Sequence, residues 1–282
     1  LGTFYHAKAP AVGAADSLKT FLEAPLAHPA QGDQTLDTSE PVTLCAKDLF
    51  ITSPEGKMLV GPLNFTLSAG QRAVLVGLSG SGKSSLLNAL AGFVPYTGSL
   101  KVNGVELRNL HPEGWRRMMS WVGQNPQLPA STLRENVLLG NPDASEQQLQ
   151  QALDKAWVSE FLPQLPDDID TVVGEQAARL SVGQAQRVAV ARALLAPCRL
   201  LLLDEPAASL DAHSEQRVMQ ALTEASTQQT TLMVTHQLEG LTEWDAIWVM
   251  ENGQIIEQGT YQQLVDANGV FTSLLASRQE EI

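Results

Sequence analysis

The residues from Gly77 to Ser84 read Gly-Leu-Ser-Gly-Ser-Gly-Lys-Ser and match the pattern G-x-x-x-x-G-K-[ST]. They stand between a short apolar run and a helical pattern, which is the context such a loop needs. Its glycines let successive N–H groups turn inward around an anion, and the helix that follows adds the positive end of its dipole. Gly77, Ser79, Gly80, Ser81, Gly82 and Ser85 are therefore candidate contacts for a nucleoside triphosphate. Lys83 supplies a point charge for the β- and γ-phosphates, and the Ser84 hydroxyl is a candidate ligand for Mg²⁺.

A second cluster of chemistry ends the run Leu200-Leu201-Leu202-Leu203-Asp204-Glu205. Four leucines in a row fit a central strand buried on both faces. Two carboxylates at the end of such a strand need partners, because an unpaired buried charge is costly. Strand ends are also where open α/β sheets bind ligands. Asp204 is read as a metal ligand. Glu205 is read as the general base that orients and polarises an attacking water, a role that typically contributes ~10²–10⁴-fold in rate. His236 follows another apolar run, Thr231-Leu232-Met233-Val234-Thr235, and is read as a contact to the γ-phosphate. His6, His28, His111 and His213 lack such a setting and are read as surface residues.

These side chains need a scaffold. Apolar runs at 72–76, 200–203, 231–234 and 246–250 read as strands, and helical patterns cover 83–91, 181–195 and 214–225. Strands alternating with helices imply an α/β domain around a mostly parallel sheet. The stretch 126–190 is almost wholly helical in pattern and lies between two of the strands, as an inserted helical subdomain would. Upstream, residues 7–22 read as a helix, with Leu18, Phe21 and Leu22 on one face and Pro25 as its stop. Residues 25–41 have linker composition, and the compact domain is expected to begin near Val42 and run to Ile282.

Composition bounds the function. Of 282 residues, 44% are hydrophobic and 17% charged, enough for a substantial core. With 18 Lys+Arg against 31 Asp+Glu the net charge is −13, which argues against tracking a nucleic-acid backbone. Cys45 and Cys198 form neither a disulfide framework nor a zinc cluster and read as reduced thiols. No stretch approaches the ~20 apolar residues needed to span a bilayer. The chain starts at Leu1, so a longer parent protein is expected.

Together these residues resemble the ATPase domain of an ATP-binding cassette (ABC) transporter, over about residues 42–282. Leu180-Ser181-Val182-Gly183-Gln184 resembles the signature motif, Gln124 in Val122-Gly123-Gln124-Asn125-Pro126 the Q-loop, Ser209-Leu210-Asp211 the D-loop, and His236 the switch histidine. The resemblance implies a P-loop NTPase cassette with a RecA-like core, an antiparallel β-subdomain and the inserted helical subdomain. It implies ATP and Mg²⁺ as ligands, with Gln124 acting beside Glu205 and His236 in catalysis and beside Ser84 and Asp204 at the metal. It implies a head-to-tail pair of cassettes, in which Ser181, Gly183, Gln184 and Asp211 complete the site of the other subunit. Thr171-Val172-Val173-Gly174-Glu175-Gln176 resembles the segment by which exporter-type cassettes meet coupling helices, so an exporter half-transporter is expected. Residues 1–24 would then be the tail of its last membrane helix.

A narrower resemblance runs through Tyr5-His6-Ala7-Lys8, Val182 to Arg187, and Arg278 to Ile282. It points to one subunit of a heterodimeric exporter needed for cytochrome bd assembly. That implies a companion subunit, glutathione and cysteine as cargo, haem as a further ligand or cargo, and a place on the cytoplasmic face of a bacterial inner membrane. Two residues depart from the family. Val182 stands where a glycine is usual and crowds an approaching phosphate, which fits an asymmetric heterodimer. Ser53 stands where an adenine-stacking aromatic is usual; Phe50 is nearest and reads as packing. A second reading is a cassette that binds ATP as a dimerisation clamp and scarcely turns over. A chromosome-maintenance ATPase is disfavoured, because 83–181 is too short for a coiled-coil insertion and carries no heptads.

Overall fold

The computed structural model describes residues 32–37, 41–53, 56–174, 180–208 and 210–279. The helix expected over 7–22, the first part of the linker, Glu175, Gln176, Ser209 and the terminal Glu280-Glu281 lie outside the described residues.

The described chain opens with β1 (Leu44–Thr52), β2 (Met58–Leu67) and β3 (Arg72–Val76), followed by helix α1 (Lys83–Leu90). Next come β4 (Tyr96–Val102), β5 (Val105–Glu106), α2 (Pro112–Arg117) and β6 (Met119–Val122). The inserted region holds β7 (Ser131–Thr132), α3 (Leu133–Leu138), α4 (Glu146–Lys155), β8 (Val172–Val173) and α5 (Val182–Leu195). The chain then returns to the core with β9 (Leu200–Asp204), α6 (Ala212–Ser226), β10 (Thr230–Val234), β11 (Ala246–Glu251) and β12 (Gln254–Gly259). Helices α7 (Tyr261–Ala267) and α8 (Val270–Gln279) close the described chain.

Two larger sheets form. The antiparallel one has the order β2-β1-β4-β5. The central one has the order β12-β11-β3-β10-β9-β6, parallel from β11 to β6 with β12 antiparallel at the edge. The leucine run shows how the layers are built. Leu200 and Leu202 pack with β1, β2, β4 and α1 on one face, while Leu201 and Leu203 pack with α3, α4 and α5 on the other. A strand buried on both faces has no polar face to alternate with, so the run is continuous.

The inserted region departs in one respect from an all-helical pattern. Ser131 and Thr132 pair with Val173 and Val172 in a two-stranded ribbon. A pairing so short has no period for a sequence to display. Capping sets the helices: Thr132, Ser145 and Ser181 each accept the N3 amide of α3, α4 and α5 in a full capping box. α5 runs on to Leu195, past the expected subdomain edge at 190, and so carries the insertion into the core.

Packing also reaches upstream of residue 42. Gln34 donates its N–H to the Asn109 carbonyl at 3.0 Å and accepts from the His111 N–H at 2.8 Å, and Leu36 packs on the core. Part of the expected linker is therefore docked. No helix among the described residues is long and apolar enough to cross a membrane.

One buried hydroxyl ties the start of β10 to the segments just before β1 and β3. Thr230, fully buried at the start of β10, donates to the Val42 carbonyl at 2.5 Å and accepts from the Gly70 N–H at 3.0 Å. Thr230→Val keeps the shape and leaves both groups unpaired, at about 1–3 kcal/mol. Thermal unfolding of this variant should show a midpoint lower by several degrees, at roughly 2–4 °C per kcal/mol for a domain of this size.

Candidate active site

The parallel strands β3, β10, β9 and β6 are consecutive neighbours in the central sheet, and each runs directly into a residue singled out by sequence. β3 leads into Gly77, β10 into Thr235 and His236, β9 ends on Asp204, and β6 leads into Gly123 and Gln124. The registers align these ends, with Val234 opposite both Leu75 and Asp204, and Val122 opposite Leu203. Neighbouring strands lie about 4.8 Å apart, so four carboxyl ends fall within roughly 15 Å. Ligands bind at such ends in open α/β sheets.

The loop after β3 has the backbone an anion cradle needs. Gly77 has φ 149°, and a Cβ there would lie 2.1 Å from the Met250 carbonyl oxygen, so only glycine fits. Gly82 enters α1 from a left-handed conformation. The turn after β11 braces the loop, with Gly253 N–H donating to the Ser81 carbonyl at 3.1 Å. Lys83 is 5% exposed, and its Nζ donates to the carbonyls of Gly77 and Leu78, each at 2.9 Å. Two of three ammonium N–H groups thus hold the loop in shape and the third remains for an anion. Burial pulls the Lys83 pKa down, opposed by the charges of Glu205 and Asp204. Ser81 Oγ is buried without a hydrogen-bond partner among the described residues. Ser79 and Gly80 are exposed on the loop crest, and Ser84 and Ser85 lie in the first turn of α1.

Across from the loop, Ser84 Oγ donates to Asp204 Oδ1 at 3.3 Å. Burial pushes the Asp204 carboxyl above its ordinary value; the Ser84 hydrogen bond opposes this and the nearby Glu205 charge adds to it. One hydroxyl and one carboxylate fit a hard cation such as Mg²⁺, which takes few protein oxygens and fills its shell with water and phosphate. Glu205 has φ 49°, a left-handed backbone rare for a side-chain-bearing residue. Its carboxylate is gripped from both sides. His236 Nε2 lies 2.6 Å from Oε1, and Gln124 Nε2 donates to Oε2 at 3.2 Å. The expected γ-phosphate ligand His236 thus has Glu205 as its partner within the chain.

Other predicted residues sit elsewhere. Ser181 caps α5, accepting from Gln184 N–H at 3.2 Å, while Gln184 Oε1 accepts from Ser181 N–H at 2.9 Å. Gly183 is half-buried beside Val182, which is 59% exposed. Asp211 caps α6 by accepting from Ser214 N–H at 3.0 Å, and hydrogen bonds from Ser214 hold its pKa down. None of these bonds reaches the loop at 77–84, so the chain does not bring this group to its own phosphate cradle. Ser53 closes a turn, bonding Lys57 through N–H and hydroxyl. Phe50 is half-buried in β1 opposite Thr97. Sequence reasoning missed Gln186. A polar side chain flanked by Ala185, Val188 and Ala189 on the buried face of α5 was the available signal.

Fold and site together define a P-loop nucleotide-binding cassette. The sequence profile of the ABC transporter family matches residues 60–208, and the chain belongs to that family. Its cassette is thus the ATP-binding, ATPase-type domain of such a transporter. Over all 282 residues it is 75% identical to the glutathione/L-cysteine transport system ATP-binding/permease protein CydD of Escherichia coli, covering 48% of that protein. It is 58% identical to the transport ATP-binding protein AarD of Providencia stuartii, again over 48% of its length. The chain spans about half the length of the curated relatives it matches. A bacterial Atm1-family ABC exporter solved with ATP bound superposes with a TM-score of 0.86 at 26% identity, over 99% of this chain and 49% of that one.

A half-buried carboxylate whose charged form burial disfavours should be removable at a gain. Asp204→Asn keeps the acceptor for Ser84 and removes the charge, so the melting temperature of the free chain should rise. The same change should erase most of the stabilisation by magnesium nucleotide, which in the parent is about 2.7 kcal/mol at a hundredfold excess over Kd. Thermal shift with and without Mg-ATP measures both.

Proposed function

We propose that this chain is the ATP-hydrolysing motor of a heterodimeric ABC exporter that carries glutathione and cysteine across the bacterial inner membrane. One observation carries the catalytic half of this reading: Glu205, at the end of a buried strand, is gripped by Gln124 and His236 beside the Ser84–Asp204 pair. Lys83 and the amides of the loop bind the triphosphate. Ser84, Asp204 and Gln124 would hold Mg²⁺, which would supply positive charge to the triphosphate. Glu205 orients a water molecule and accepts its proton as the water oxygen attacks the γ-phosphorus. The β–γ anhydride bond breaks and ADP leaves with the electron pair, so the products are ADP and phosphate. His236 links the γ-phosphate to the base. Catalysis here is positioning plus charge stabilisation.

The glutathione and cysteine cargo rests on the 75% identity to a glutathione/L-cysteine transport protein, and the inner-membrane setting and service to cytochrome bd assembly rest on the motif resemblance alone. The missing half of the relatives' length is where a membrane domain of this chain's own would lie. The cassette would then work at the cytoplasmic face. Ser181, Gly183, Gln184 and Asp211 do not reach the chain's own loop, which supports a head-to-tail arrangement with a second half-transporter subunit. Exposed Val182 beside Gly183 supports a heterodimer, because in a homodimer it would burden both sites. A binding clamp with little turnover is the second reading, and Val182 is the observation that favours it.

Glu205→Gln in the full-length transporter should leave ATP affinity near the parent value and lower phosphate release by about 10²–10⁴-fold. The clamp reading instead requires negligible release from the parent, with the companion present. Val182→Gly should raise turnover at the site that this signature motif completes, measured with the chain's own base silenced by Glu205→Gln.

A further inference from the structure

Gln186 lies in the second turn of α5, is fully buried, and its side-chain hydrogen bonds go neither to the phosphate cradle nor to the carboxylates. Its side-chain amide donates to the Gly123 carbonyl at 3.0 Å and to the Pro206 carbonyl at 2.8 Å. Gly123 immediately precedes Gln124, and Pro206 immediately follows Glu205. A single NH₂ group thus ties together the main chains of two segments whose side chains meet in the Gln124–Glu205 hydrogen bond.

Two further features make this more than packing. The acceptor Oε1 of Gln186 is buried with no partner among the described residues. A buried orphan acceptor is unfavourable, and an apolar side chain of the same shape would avoid it. Second, Glu205 is held at φ 49°. Such backbone persists only where its surroundings over-determine it. Glu205 N–H is fixed by the Val234 carbonyl at 2.9 Å, and Ala208 N–H closes the following turn onto the Glu205 carbonyl at 3.2 Å. The bond from Gln186 to Pro206 fixes the next residue of the same turn.

We propose that Gln186 is a positioning residue that couples the helix presenting Ser181 and Gly183 to the aim of this chain's own Gln124 and Glu205. The inference rests on the reading of Glu205 as base. In the head-to-tail arrangement proposed above, α5 begins at the corner facing the second cassette, and a shift of α5 on closure is delivered through one amide to both residues around the attacking water. A base displaced by about 1 Å can lose ~10²-fold in rate.

The test uses the full-length transporter with its companion subunit, whose own general base has been replaced so that one site reports. Gln186→Met keeps the volume and removes the donors. Gln186→Glu keeps the shape and sets a carboxylate against two carbonyls, a second route should the first variant fold poorly. Hydrogen exchange should quicken at least about tenfold at the amides of 123–125 and of Glu205, Ala207 and Ala208 together, with β9 and the rest of α5 unchanged. Phosphate release should fall by roughly 10–100-fold with KM for ATP unchanged. Combined with Gln124→Ala the loss should fall well short of the product of the single losses. Unchanged exchange at either segment overturns the proposal. So does loosening spread over all of α5 and β9, or full additivity with Gln124→Ala. A parent complex without hydrolysis removes the base reading instead, and the exchange pattern still decides the role of Gln186.

Discussion

Two carboxylates at the end of an all-leucine strand impose the constraint from which the rest of this cassette follows. β9 is buried on both faces, and Asp204 and Glu205 at its end are half-buried. Half-buried carboxylates are costly unless they find donors. The sheet supplies the donors from its neighbours. Ser84 comes from the loop and helix after β3, His236 from the end of β10, and Gln124 from the end of β6. The strand order, not proximity in sequence, makes this possible: β3, β10 and β6 come from three separate parts of the chain. What reads as catalysis is therefore also the solution to a burial problem. Phosphoryl transfer uses such an arrangement well, because it asks mainly for fixed charges and fixed dipoles.

The inserted helices share an apolar core with one face of the central sheet. Besides Gln186, a compact ion network adds a polar linkage. Glu160, in the insertion, accepts from Arg217 on α6 at 2.8 Å and from Arg187 on α5 at 3.3 Å. Arg217 also lies over the Trp157 ring, 3.7 Å from its centre. Exposed ion pairs contribute little singly, but here each arginine that shares the carboxylate also lies over a ring, Arg217 over Trp157 and Arg187 over Phe161. Trp157 thus has a role in joining subdomains, and Trp121 faces Phe93 at 6.2 Å near the Q-loop.

The core was legible in the sequence to within a residue or two. β3 spans 72–76 as read, and β9, β10 and β11 each extend the expected run by one residue. Strong periodic segments with Gly, Ser and Thr at their ends carry that information locally. So do the carboxylates after the leucines, whose need for partners follows from burial alone. Three things were not legible. The β7–β8 ribbon is too short to have a period. The docking of Gln34 on Asn109 and His111 depends on a carbonyl and an amide that no composition displays. Gln186 acts through main-chain acceptors 63 and 20 positions away, and nothing in the local pattern marks them.

The distribution of unmet polar groups supports the same division between frame and site. Among the described residues, buried side-chain atoms without a partner are Ser81 Oγ, Gln186 Oε1 and Arg187 Nε. The first lies in the phosphate cradle and the other two on the signature helix; the strands of both sheets contribute none. Folded chains normally satisfy such groups, and exceptions collect where function competes with stability. Lys83 and Asp204 follow the pattern, each pushed by burial toward its neutral form. The cassette is well satisfied where it only has to hold shape. Its unmet polar groups and its left-handed Glu205 lie along the line from the phosphate loop through Glu205 to the start of α5.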